Sequence, residues 1–109
     1  MLLIWMDIKQ QEIHHQNITI PSSAGGIGTT VTIKFDLSST GSPTSAGADH
    51  ITIATGGSSD VANAALVIKA INGTTDSRIT YGNSSGDASA GVGVKGITAS
   101  QGSNNKKVT

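Results

Sequence analysis

The sequence predicts an α+β fold, a mostly antiparallel β-sheet with a single Ala-rich helix, at about residues 59–72, packed on it. Thirteen Ile and six Val stand against one Phe, one Tyr and one Trp, and β-branched residues fit a pleated, half-buried surface. The 27 Ser and Thr and the 14 Gly supply many short turns. Only the stretch SSDVANAALVIKAING, residues 58–73, abandons alternation for helical spacing.

A chain of 109 residues makes one domain, able to bury roughly two thirds of its unfolded surface. Leu, Ile, Val and Phe together number 24 and the net charge is zero, which places the chain on the folded side of the disorder boundary. We divide it into an N-terminal arm, residues 1–16, and a single small β-rich domain, residues 17–109.

The arm opens with MLLIWM, apolar for six residues and followed by Asp7. That is too short for a membrane span or the core of a signal peptide, so no membrane partner is expected. DIKQQEIHHQ, residues 7–16, fits neither period and reads as a short helix or an extended arm. NITI then sets Ile18 and Ile20 on one face before Pro21, as an edge strand does.

PSSAGGIG, residues 21–28, is a connector. TTVTIKFD, residues 29–36, is the clearest strand, with Val31, Ile33 and Phe35 on one face and Thr30, Thr32 and Lys34 on the other. Residues 37–48 form a small-residue loop, long for a tight hairpin and expected at one exposed end of the sheet. DHITIAT follows with Ile51 and Ile53 in phase, and a β-meander is the natural connection.

Ser58 or Ser59 is placed to cap the helix, Asp60 and Lys69 match its dipole, and Asn72-Gly73 supplies a left-handed stop. Val61, Ala64, Ala65, Ile68 and Ile71 form one apolar stripe. Ala62, Leu66, Val67 and Ala70 leave Asn63 and Lys69 as nearly all the polar surface. A helix apolar on most sides needs cover on more than one side, and a second subunit or domain is the expected second cover.

RITYG pairs Ile79 with Tyr81, and NSSGDASAG, residues 83–91, reads as a loop. VGVKGITA carries Val92 and Val94 in phase and Ile97 out of phase, with a bulge expected at Gly96. QGSNN reads as a turn, and KKVT opens a strand with little to pair with. That ending and the unusual start, where Met6 is a second candidate initiator, lead to the expectation that the chain is a fragment of a longer one.

Seven basic and seven acidic residues are scattered, without a basic stripe or stacking platform, so no nucleic-acid partner is expected. The absence of Cys removes disulfide and thiolate-metal chemistry. Gly82-Asn83-Ser84-Ser85-Gly86 has G-x-S-x-G spacing, but no helix follows and His14, His15 and His50 all precede it. A Ser84 hydrolase is therefore the remote alternative.

Gly56-Gly57-Ser58-Ser59 lacks the Lys and spacing of a phosphate loop and reads as a turn and cap, and GGIG at 25–28 reads as a linker. Adjacent His14 and His15 point apart on an extended segment, and Asp36, Asp49, Asp60, Asp76 and Asp87 lack calcium-loop spacing. Asn17-Ile18-Thr19, Asn72-Gly73-Thr74 and Asn83-Ser84-Ser85 match the glycosylation acceptor pattern as expected by composition. No catalytic, cofactor-binding or metal residues are assigned, no cofactor is expected, and the chain is read as non-enzymatic.

From residue 29 to 109 the succession TVTIKFD, a Gly/Ser loop, DHITIAT, SSDVANAALVIKAING, RITYG and ITASQGSNNKKVT resembles a β-rich segment of virion structural proteins of tailed phages, notably those of marine bacteria. The resemblance covers about three quarters of the chain. It implies a structural or assembly module of a tail, fibre or capsid-associated protein, localised in the virion and partnered by further copies or neighbouring virion subunits. It transfers no site residues. The alternatives are a small binding or adhesin domain of a surface protein, for which Trp5 and Tyr81 are the available aromatics, or a fragment of some other longer chain.

Overall fold

The computed structural model describes residues 11–12, 18–21, 30–43, 46–47, 49–82, 88–94 and 96–109. In chain order the elements are β1 (Gln11–Glu12), β2 (Ile18–Pro21), β3 (Thr30–Asp36), β4 (His50–Ala54), helix α1 (Asp60–Asn72), β5 (Ile79–Tyr81), β6 (Ala88–Ser89), β7 (Gly93–Val94) and β8 (Lys107–Val108). Among the described residues the fold is α+β, one helix on a mostly antiparallel sheet.

Four strands form the main sheet in the order β2-β3-β4-β5. Pairing aligns Ile18, Ile33, Ile51 and Tyr81 in one row and Phe35, Ile53 and Ile79 in the next. Period-2 alternation thus sends all these residues, with Ile20 and Val31, to the face beneath the helix. Ile20, Val31, Ile33, Ile51 and Ile53 are fully buried there. β2 is an edge strand ending at Pro21, where a missing N–H is tolerated.

The expected meander is overturned at one joint. β3 and β4 run parallel, with Ile33 beside Ile51 and Phe35 beside Ile53, so segment 37–49 has to return the length of the sheet. A parallel pair needs a connection of about a dozen residues, which this segment supplies.

Its path follows β5. Ser42 Oγ donates to Ser77 O at 2.6 Å, Thr80 Oγ1 donates to Pro43 O at 3.0 Å, and the His50 N–H donates to Gly47 O at 3.0 Å. Pro43 is buried by this packing. Ser42 and Pro43 therefore pack beside Ser77 and Thr80, while Leu37, Ser38, Thr40, Gly41 and Gly47 are exposed, as expected of this loop.

The far end of the chain differs from its alternating pattern. Val94 is buried but Val92 is half exposed, because residues 90–92 turn between β6 and β7, closed by the Val92 N–H on Ser89 O. Gly96, expected at a bulge, lies in a turn closed by the Ile97 N–H on Val94 O at 3.2 Å. β8 also has more to pair with than expected. It pairs with β1 on one side and bridges Gln101 on the other, and Val108 is buried.

Candidate functional site

α1 starts where its cap residue dictates. Ser59 is extended (φ −79°, ψ 166°) and its hydroxyl accepts the Ala62 N–H at 3.2 Å, satisfying a free first-turn amide. Ser58 has a different partner, the Arg78 guanidinium. At the other end Gly73 is left-handed (φ 82°), and the Gly73 and Thr74 N–H groups both reach Lys69 O. The next free carbonyl, Ala70 O, accepts the Tyr81 hydroxyl at 2.7 Å.

The helix is rotated from its expected phase. Ala64, Val67 and Ile71 face inward together with Asn63, Leu66 and Ala70, all buried. Val61 is 40% exposed, and Ala62 and Ala65 are exposed. Asn63, expected at the surface, is therefore an inward residue, while Val61 and Ala65 leave the predicted buried stripe. An outer face without Asn63 is more apolar than the sequence reading allowed.

Cover for the inner side comes from the chain itself. Ala88, Val94, Ala99 and Val108 belong to the same core cluster as the helix and the sheet. Asn72 fixes this contact with a two-point pairing: its Nδ2 donates to Ala99 O at 2.8 Å and its Oδ1 accepts the Ala99 N–H at 2.7 Å. A partner subunit is not needed for that side of the helix.

The outer side borders an open groove of about 700 Å³ lined by Ser58, Ser59, Ala62, Ala65, Lys69 and Arg78, among others. Its charged wall is built on one turn. Asp76 accepts the Arg78 N–H at 2.9 Å and the Lys69 ammonium at 3.0 Å. The Arg78 amide first, and then Lys69, hold its carboxyl below the usual carboxylate range. Arg78 Nη1 reaches Ala54 O at 3.2 Å as well as Ser58, so the guanidinium ties the end of β4 to the helix entrance.

Lys69 is 44% exposed, and such a pair contributes at most about 1 kcal/mol, so its chief effect is to shape the groove. Arg78, the single arginine in the chain, was missed by motif reading because no spacing rule marks it. Its singularity was the available signal.

The other candidates disperse. Ser84, His14, His15, Asp87, Trp5, the 25–28 linker and the acceptor patterns at Asn17 and Asn83 lie outside the described residues. Gly56-Gly57-Ser58-Ser59 is a turn and cap, with the Ser58 N–H on Thr55 O. Asp36 folds onto Ser38, accepting its hydroxyl at 2.8 Å and its N–H at 3.1 Å. Among the described residues no three His, Asp or Glu side chains are grouped to hold a metal ion, and no helix is long and apolar enough to cross a membrane.

Tyr81, the second aromatic of the adhesin reading, is half-buried under the helix, where burial pushes its phenol up to about 12. It presents no exposed stacking platform. No family model, curated protein or solved structure matches the chain.

Proposed function

We propose that this chain is a non-enzymatic assembly module of a tailed-phage virion, tail, fibre or capsid-associated, that works by contact with further copies of itself or neighbouring virion subunits. The observation that carries this reading is the outer face of α1. Val61, Ala62 and Ala65 stay exposed on a helix whose other sides are covered by the sheet and the C-terminal segment. Small side chains let a second backbone approach closely, and zero net charge removes long-range repulsion between copies. The resemblance of residues 29–109 to virion segments supports the same reading.

Light scattering across a concentration series tests it. The expected result is a discrete oligomer that Ala65→Glu dissociates, with the helical circular dichroism unchanged. A wild-type chain that stays monomeric at the highest concentration, or an oligomer indifferent to Ala65→Glu, overturns self-assembly through this face.

A further inference from the structure

The sequence contains one Asn-Gly step, Asn72-Gly73. In an unstructured chain this dipeptide is chemically labile, since glycine offers no side chain to shield its nitrogen. The Gly73 backbone nitrogen attacks Asn72 Cγ, the Cγ–Nδ2 bond breaks, and ammonia leaves carrying the proton lost by the backbone nitrogen. Water then opens the cyclic imide to aspartate or isoaspartate.

Both reacting groups are engaged in the fold. The Gly73 N–H donates to Lys69 O as part of the helix cap. The Asn72 carboxamide is paired at both atoms with the Ala99 backbone, at 2.8 and 2.7 Å. The nucleophile is held in the cap while the electrophile is turned onto another segment.

That segment leads directly into the C-terminal hairpin. Ser100 and Thr109 exchange N–H to carbonyl bonds at 3.0 and 2.8 Å, the Gly102 N–H donates to Lys107 O at 2.8 Å, and Val108 is buried in the common core. Asn72 is thus the clasp between the helix end and this hairpin. Asn72 is otherwise exposed, so lifting of the hairpin leaves both of its amide atoms in water.

We propose that Asn72 is a self-protected deamidation site gated by docking of the C-terminal hairpin. While the hairpin is docked the amide persists, and when it lifts the amide converts irreversibly. An aspartate at position 72 has no donor for Ala99 O and puts a negative charge at a helix C-terminus, where the dipole disfavours it. An isoaspartate also lengthens the backbone by one methylene at the cap. In either case the hairpin no longer docks as before.

The test follows amide loss at Asn72 by peptide mass spectrometry, in the folded chain and in guanidinium chloride at the same mildly alkaline pH. Asn104 and Asn105, in the exposed turn, serve as internal references. Asn72 is expected to convert faster than both references in denaturant. In the folded chain it is expected to convert at least about tenfold more slowly than in denaturant, the ratio set by an opening free energy of about 1.4 kcal/mol.

Val108→Ala, which loosens the hairpin, is expected to raise the folded-state rate. N72D is expected to lose hydrogen-exchange protection at Ser100 and Thr109 while Ile51 and Ile53 keep theirs. Equal conversion of folded and unfolded wild-type chain overturns the proposal even if N72D does not fold. Unchanged protection at Ser100 and Thr109 in a folded N72D overturns the clasp.

Discussion

Where the helix ends, Gly73 meets Gly93 backbone to backbone. Both have positive φ, 82° and 75°, and a Cβ on Gly93 collides with Ile71 O and the Gly73 amide. Gly91 provides the control, since its φ is 81° but its Cβ meets open space. Gly91→Ala therefore carries only the left-handed penalty, about 1–2 kcal/mol. Gly93→Ala adds a clash between main chains that no rotamer change relieves, and is expected to cost at least about 2 kcal/mol more in urea unfolding. Equal losses at the two sites would show that the close approach does not matter.

Tyr81 makes a second residue-scale prediction. Its native phenol titrates near 12, above the unfolded value of about 10, because burial disfavours the phenolate. The sign follows from linkage: its contribution is complete below pH about 10 and is lost as pH rises through about 12. Tyr81→Phe leaves Ala70 O without this donor, at a cost of about 1 kcal/mol near neutrality. The gap between wild type and variant in melting temperature is expected to narrow across that alkaline window. A gap constant through it would refute the assignment.

Elements differ in how far their sequences reveal them. The alternation of Val31, Ile33, Phe35, Ile51, Ile53 and Ile79 was readable because one face is greasy and the other is threonine, lysine and histidine. The helix bounds were equally plain, since Ser59, Asp60, Lys69 and Gly73 each do one job in capping or dipole compensation. Strand direction was less plain: alternation is identical in parallel and antiparallel pairs, and only the length of segment 37–49 told against a hairpin.

Helix phase failed for a related reason. Alanine is at home on either face, and spacing alone puts Asn63 at the surface although the fold buries it. The β6–β7 turn was hidden because Gly93 breaks the extended backbone on which an alternation argument depends. In the candidate groove, capping serines were legible and Arg78 was not, since its partners, Ala54 and Ser58, are 24 and 20 residues away.

The corrected phase can be tested with two neighbouring alanines. Ala64 is 1% exposed whereas Ala65 is exposed. Ala64→Leu overpacks the interior, at about 1–3 kcal/mol, and Ala65→Leu is expected within about 0.5 kcal/mol of wild type in the dilute chain. Equal costs would place both residues inside and restore the stripe drawn from sequence spacing.

At the scale of the molecule, α1 is the shared layer between the sheet and the C-terminal segment. Ile33, Ile51 and Ile53 lie on one side, Val94, Ala99 and Val108 belong to the other, and all join one core cluster. Neither side can shed the helix without exposing its own apolar residues, so the described residues are expected to unfold in urea in one main transition, with lifting of the terminal hairpin a sparsely populated local opening beneath it. Val108→Ala removes two methyl groups' worth of burial near the end of the chain and is expected to cost about 2 kcal/mol.

The informative readout is where that cost appears. If the core is continuous, helix circular dichroism and, in a Trp5→Phe background, the near-ultraviolet signal of Tyr81, beneath the helix on the sheet side, shift to lower urea together and their transitions coincide. If the C-terminal segment is a separate unit, Val108→Ala leaves the Tyr81 transition at its wild-type midpoint and creates an earlier phase of its own. Among the described residues, the first outcome leaves the outer face of α1 as the side of the helix open to a partner, because both other covers are then integral to the fold. The second would make the C-terminal segment displaceable, and a partner could replace it on the inner side instead.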